Sequence, residues 1–101
     1  METTKEKKTE ENIVFIGGKP FMNYVTGIVM QFTTKQASEV RIVSRGKFIS
    51  KAVDVSEVAR KKFLKELNIT IKDIKINSEE FLSKEGKNVT VSTMEIFLKK
   101  D

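Results

Sequence analysis

Four consecutive apolar residues, Ile13 to Ile16, stop abruptly at Gly17 and Gly18. A short apolar run closed by glycine predicts a strand buried on both faces. From Pro20 to about Lys35, Met22, Val25, Ile28, Val29 and Phe32 recur at three- and four-residue steps. That is the period of a helix with one buried stripe. Proline suits the first turn, where its missing N–H costs nothing. Gly27 is a poor helix former, and it suggests that another element approaches closely there. Ala37 to Arg45 predicts a second strand with Val40, Ile42 and Val43 as its apolar positions, ended by Gly46. Phe48 to Leu67 predicts a second helix, with Ile49, Ala52, Val53, Ala59, Phe63, Leu64 and Leu67 on its apolar face. Ile69 to Leu82 and Asn88 to Lys99 read as two long strands. Lys84-Glu85-Gly86-Lys87 is the turn that makes them a hairpin. The apolar phase slips from odd to even positions in both, between Ile71 and Ile74 and between Val91 and Met94. Such slips predict a bulge or a strong twist in the ribbon.

The order is β-α-β-α-β-β. It predicts an α+β fold, a two-layer sandwich in which both helices cover one face of a four-stranded mixed sheet. A chain of 101 residues is one domain. Residues 1–11 carry no large apolar residue after Met1 and are expected to form a flexible arm, leaving 12–101 as the folded domain. A core of this size gains much from pairing with a second copy, so a homodimer is expected.

Charge narrows the partner. The formal net charge is +5. The first eleven residues hold three lysines against four glutamates, so the remainder carries +6. A basic body suggests a polyanion, nucleic acid before membrane. Cysteine and histidine are both absent. That removes disulfides, thiolate catalysis, the commonest metal ligands and the commonest general base. No catalytic centre, cofactor or metal is expected. No apolar run reaches membrane-spanning length and no signal-peptide pattern is present, so the expected location is cytoplasmic.

Candidate chemistry begins at Gly17-Gly18-Lys19-Pro20. Glycines let backbone approach a ligand, a helix N-terminus favours anions, and Lys19 adds a full charge. Alone, this is equally a tight turn with a solvated lysine. A second basic group, Arg45-Gly46-Lys47 with Lys51, follows the second strand. Both loops leave the carboxyl ends of their strands, so the two groups can lie side by side. Phosphate binding is then favoured at Gly18, Lys19, Arg45, Lys47 and Lys51. Asn23, in the first helical turn, bonds phosphate or caps locally. Lys84 and Lys87 form a solvated tip or a ribbon reaching toward a groove. Tyr24 reads as core or dimer interface. Phe63 lies among Arg60, Lys61, Lys62 and Lys65, and packs inward or forms an exposed contact; the spacing leaves both open.

Four stretches, in order, resemble the Alba family of small archaeal chromatin and RNA-binding proteins. They are Gly18-Lys19-Pro20-Phe21-Met22-Asn23-Tyr24-Val25, Arg45-Gly46-Lys47-Phe48-Ile49-Ser50-Lys51-Ala52-Val53-Asp54, Arg60-Lys61-Lys62-Phe63-Leu64 and Val91-Ser92-Thr93-Met94-Glu95-Ile96. The resemblance covers nearly all of the chain after Glu11. It implies a fold similar to the C-terminal domain of translation initiation factor three. It also implies a homodimer that binds double-stranded DNA and RNA with little sequence preference and organises or compacts the chromosome. By the same resemblance, Lys19 matches the second member of a loop lysine pair, and Arg45 and Lys47 match the two basic residues that flank a glycine. Phe63 matches an aromatic used between dimers along DNA. Gly18 departs from the pattern: it stands where the first lysine of the pair, the acetylated one, is often found. Three other readings remain: an RNA-binding subunit of a ribonucleoprotein or RNA-processing complex, a small enzyme acting on a phosphorylated substrate, and a purely structural interaction module with no salt-dependent polyanion binding.

Overall fold

The computed structural model describes residues 12–101, so the expected arm at 1–11 lies outside the described residues. The chain forms β1 (Ile13–Phe15), α1 (Phe21–Phe32), β2 (Glu39–Arg45), α2 (Ile49–Val58), β3 (Ile69–Leu82) and β4 (Asn88–Lys100). A short 3-10 turn, Gly46–Phe48, leads into α2; a wider π turn, Ala59–Phe63, and a second 3-10 turn, Lys65–Leu67, lead out of it. The sheet order is β1-β2-β4-β3, with β1 parallel to β2 and both other pairs antiparallel. This is the predicted mixed sheet and element order. Among the described residues no helix is long and apolar enough to cross a membrane.

One face of the sheet carries the core. Val40 and Ile42 of β2 and Ile96 and Leu98 of β4 are buried with Val25, Ile28 and Phe32 of α1 and Ala52 and Val55 of α2. Each large apolar side chain in that layer contributes about 1.5–3 kcal/mol by leaving water. Among the described residues, no helix lies over the other face, which carries Arg41, Val43 and Arg45 of β2.

Several expectations change. β1 is not buried on both faces: it is an edge strand, and Phe15 is 69% exposed. Pro20 precedes α1 instead of opening it; its carbonyl accepts from the Asn23 N–H at 3.0 Å. Met22 lies outside the buried stripe, and Tyr24 replaces it. A Cβ at Gly27 would meet nothing within 4 Å, so no described element of the chain crowds it. The bulge exists in β3 alone, between Ile71 and Asp73. β4 pairs without interruption. Its apolar residues change faces, with Val89 and Val91 on one side and Met94, Ile96 and Leu98 on the other.

The second helix ends early because its last turn widens. Leu64 N–H donates to Ala59 O at 3.0 Å, an i to i+5 bond. The buried stripe Ala52, Val55 and Ala59 is therefore continued by Leu64 rather than by Phe63, which stays 53% exposed. Arg60 fastens this end. Its Nε donates to Glu57 Oε2 at 2.8 Å and its Nη1 to Ile69 O at 3.2 Å, linking α2 to the start of β3.

Candidate nucleic-acid interface

Strand polarity decides where the cations go. β1 and β2 run in parallel, so the Gly17–Lys19 loop and the Arg45–Lys47 turn leave the sheet at the same end. β4 is antiparallel to β2, and Arg45 pairs with Thr93. The β3–β4 ribbon then continues past that pair to Leu82–Asn88. Five residues at strand rise carry it about 17 Å further in the same direction. Lys84 and Lys87, both exposed, sit at its tip. All the candidate basic residues thus belong to one pole of the molecule. The tip closes with Ser83 N–H on Lys87 O at 2.8 Å and Gly86 N–H on Ser83 O at 2.9 Å; Gly86 has φ +82°.

The glycine loop is held from two sides. The Tyr24 hydroxyl oxygen accepts from Gly17 N–H and from Lys19 N–H, each at 3.0 Å. Lys51 Nζ donates to Gly17 O at 2.7 Å and to Lys19 O at 2.6 Å, and lies 5.0 Å from the Tyr24 ring centroid. Two loop amides are therefore committed to Tyr24, and the charge the loop offers outward is the exposed Lys19 side chain. Lys51 lies in the cluster, with its ammonium turned onto the loop carbonyls. Gly18 is exposed, and a Cβ there would meet nothing within 4 Å.

The second turn depends on Gly46. Its φ is +57°, a conformation L side chains rarely adopt, and a Cβ would come within 3.1 Å of Val91 Cγ2. Arg45 before it is exposed. Its Nη2 lies 3.5 Å from Glu79 Oε1 of β3, and its guanidinium sits 5.8 Å from the Phe81 ring centroid. Lys47 and Lys51 both lie against the Phe48 ring, at 5.5 and 5.8 Å. Asn23 is exposed on the first turn of α1. Lys19, Asn23, Arg45, Lys47 and Lys51 thus share one pole, while Phe63 projects from the far end of α2.

Sequence reasoning missed the part played by Tyr24. A signal existed: a half-apolar side chain facing a core needs a partner for its hydroxyl, and the glycine loop was the nearest supply of free N–H groups. It also missed Glu79 and Phe81, because only the register of the ribbon brings them to Arg45.

These observations describe a small α+β domain that gathers exposed cations at one pole and extends a two-stranded ribbon from it. Comparison with known proteins gives the same architecture a family. A family model described as Alba matches residues 12–78. DNA/RNA-binding protein Alba of Methanocella arvoryzae is 47% identical over 91 residues, covering 90% of this chain and 92% of that protein. DNA/RNA-binding protein Alba 1 of Archaeoglobus fulgidus is 49% identical over 90 residues, covering 89% and 97%. The solved structure of Alba from Thermoplasma volcanium superposes with a TM-score of 0.80 at 42% identity, covering 88% of this chain and all of that one. The chain belongs to the Alba family.

Proposed function

We propose that this protein is a non-enzymatic, dimeric binder of double-stranded DNA and RNA that reads little sequence and organises the chromosome in the cytoplasm. The observation that carries this reading is the shared pole: both basic loops and the ribbon tip leave the sheet at one end. Lys19, Arg45 and Lys47 neutralise phosphates, with Gly18 allowing close approach and Asn23 adding a polar contact. Lys51 holds the first loop in place, and Lys84 and Lys87 bring the ribbon to a groove. Contacts of this type position a protein without specifying bases. The names of the relatives from Methanocella arvoryzae and Archaeoglobus fulgidus support nucleic acid as the polyanion.

The second copy docks on the outer strand. Ile71, Ile74 and Ile76 stand on the helix side of β3, beyond the cover of the helices, and Ile76 is 75% exposed. A contiguous apolar strip of this kind on a small protein marks an interaction surface. Phe63, at the far end of α2, is the contact between neighbouring dimers on long nucleic acid.

The test is Lys19→Glu combined with Arg45→Glu, titrated against duplex DNA across a salt series. If each side chain neutralises one phosphate per subunit, a dimer loses about four contacts and the logarithmic salt slope shrinks by roughly 3 to 4 units. Circular dichroism serves as the folding control. A folded variant that keeps its affinity and slope would move the interface to the ribbon.

A further inference from the structure

We infer that the uncovered face of the sheet is a seat for single-stranded nucleic acid, in which an unpaired base stacks on Phe15 and neighbouring phosphates meet Lys75 and Lys99. The inference rests on the proposed nucleic-acid reading and extends it to unpaired strands. Side chains alternate along a strand, so the register assigns each residue to a face. Phe15 pairs with Val43, Val43 with Glu95 and Glu95 with Lys75, which makes one row across all four strands on the side away from the helices. The next row, about 7 Å along the strands, holds Ile13, Arg41, Phe97 and Asp73. Lys99 lies one row further, and Arg45 lies one row back toward the pole. From Arg45 to Lys99 the face therefore runs about 20 Å.

Three features select a single strand as the occupant. First, Phe15 is 69% exposed at the sheet edge, an aromatic side chain of the kind on which unpaired bases stack. An open four-stranded sheet carrying aromatic residues is a recurring platform for unpaired RNA. Second, Phe97 gathers cations from the strands on either side of it. Arg41 of β2 lies 6.0 Å and Lys75 of β3 lies 5.2 Å from its ring centroid. Those contacts hold the guanidinium and the ammonium on the face, and a guanidinium plane is itself a stacking partner for a base. Third, the acids of the face are already engaged. Glu95 lies 3.3 Å from Arg41, Glu79 3.5 Å from Arg45 and Glu39 2.9 Å from Lys72, while Asp73 Oδ1 accepts from the Ile74 N–H at 2.8 Å. Lys75 and Lys99 are exposed and make no ion pair among the described residues. The uncompensated charge on the face is positive on balance, and it continues from Arg45 at the pole proposed for duplex.

A duplex is the poorer occupant, because it keeps its base faces stacked inside and offers Phe15 nothing to stack on. The acids of the face also repel the denser charge of paired strands. A second copy of the chain is poorer too. Charged residues are interleaved with Ile13, Phe15, Val43 and Phe97 across this face, whereas the core of a protein interface is depleted of charge.

The experiment titrates oligouridylate, which forms no duplex of its own, and a fully paired DNA duplex in parallel across a salt series. The wild type is expected to bind both. Phe15→Ala should weaken oligouridylate binding roughly tenfold, the scale of one base–aromatic stack, and leave duplex affinity unchanged. Phe15→Trp should keep the wild-type affinity for both. Lys75→Ala combined with Lys99→Ala removes two phosphate contacts, so the logarithmic salt slope on oligouridylate should shrink by about 1.4 units while the duplex slope stays as it is. Thermal melting verifies that each variant is folded, and sedimentation compares its oligomeric state with the wild type. Three results overturn the inference and leave the general nucleic-acid reading intact: a wild type that binds the duplex but not oligouridylate, folded variants that keep full oligouridylate affinity, or variants that weaken both ligands alike. A Phe15→Ala protein that melts normally but dissociates to smaller species makes the face a contact between copies and overturns the inference too. Failure of the wild type to bind either ligand overturns both readings.

Discussion

At the scale of single residues, the glycine loop is fixed by two side chains from outside it, Tyr24 and Lys51. Tyr24 supplies the acceptor for two loop amides, so its hydroxyl sets where the Lys19 side chain begins. Tyr24→Phe keeps the ring and the burial but orphans those N–H groups. Because the loop is partly exposed and water can replace the hydroxyl, the loss of stability is expected at the low end of the usual range, about 1 kcal/mol. Hydrogen exchange at Gly17 and Lys19 should accelerate, and a denaturant melt checks the cost. Gly18 makes the opposite case. A side chain there meets open space, so Gly18→Lys should change stability by no more than about 0.5 kcal/mol. It should also add one phosphate contact per subunit. For a dimer, the salt slope on duplex DNA then steepens by roughly 2 units, measurable in the same titration series.

At the scale of elements, the sequence made the strands and their order legible because alternation and turn chemistry are local. Ile69–Leu82 occurs with the predicted bounds, and Asn88–Lys100 runs one residue longer than expected. The phase slip around Ile71 and Ile74 announced the bulge in β3. What stayed hidden depends on equal hydrophobicity. Phe63 and Leu64 are adjacent and both apolar, so no pattern says which one a widened turn will bury. Likewise the run Ile13–Ile16 reads as central, and only the sheet order makes β1 an edge. The basic residues of the candidate site were legible as a group from the β-α-β-α order. Lys51, whose ammonium is turned onto the loop carbonyls, was not separable from them by sequence.

The end of α2 also has a pH signature. Burial raises the Glu57 pKa, but hydrogen bonds from Arg60 and Lys61 and their charges outweigh that, so the carboxyl sits below its ordinary value of 4.5. A carboxylate lowered in the folded state stabilises the fold fully above its unfolded pKa, and the contribution is lost as pH falls through the folded value. Glu57→Gln should therefore lower the melting temperature at neutral pH. The difference from wild type should fade below about pH 4.5, where the wild-type carboxyl itself takes up a proton.

At the scale of the whole molecule, the two apolar exposures have different addresses. The strip Ile71, Ile74 and Ile76 lies on the outermost strand, whereas Phe63 lies at the end of α2. Ile76→Lys places a charge on a side chain that is three-quarters exposed, so the protomer should fold normally. On the proposed dimer through this strip, sedimentation at micromolar concentration should then show monomer for the variant and dimer for the wild type, and duplex affinity should fall with it. Phe63 should be indifferent to that change.

The two carbonyls that grip Lys51 also have a consequence for chemical reactivity. An amine must be free of such bonds to attack an acylating reagent, and Lys51 Nζ is held at 2.7 and 2.6 Å. Mild labelling with an amine-reactive ester should modify Lys19 and Lys47 early and Lys51 late, with peptide mass spectrometry as the readout. Adding duplex DNA should shield Lys19 and Lys47 and leave the slow rate at Lys51 nearly unchanged. Tyr24→Phe, by loosening the loop, should make Lys51 the one lysine of the pole whose labelling speeds up.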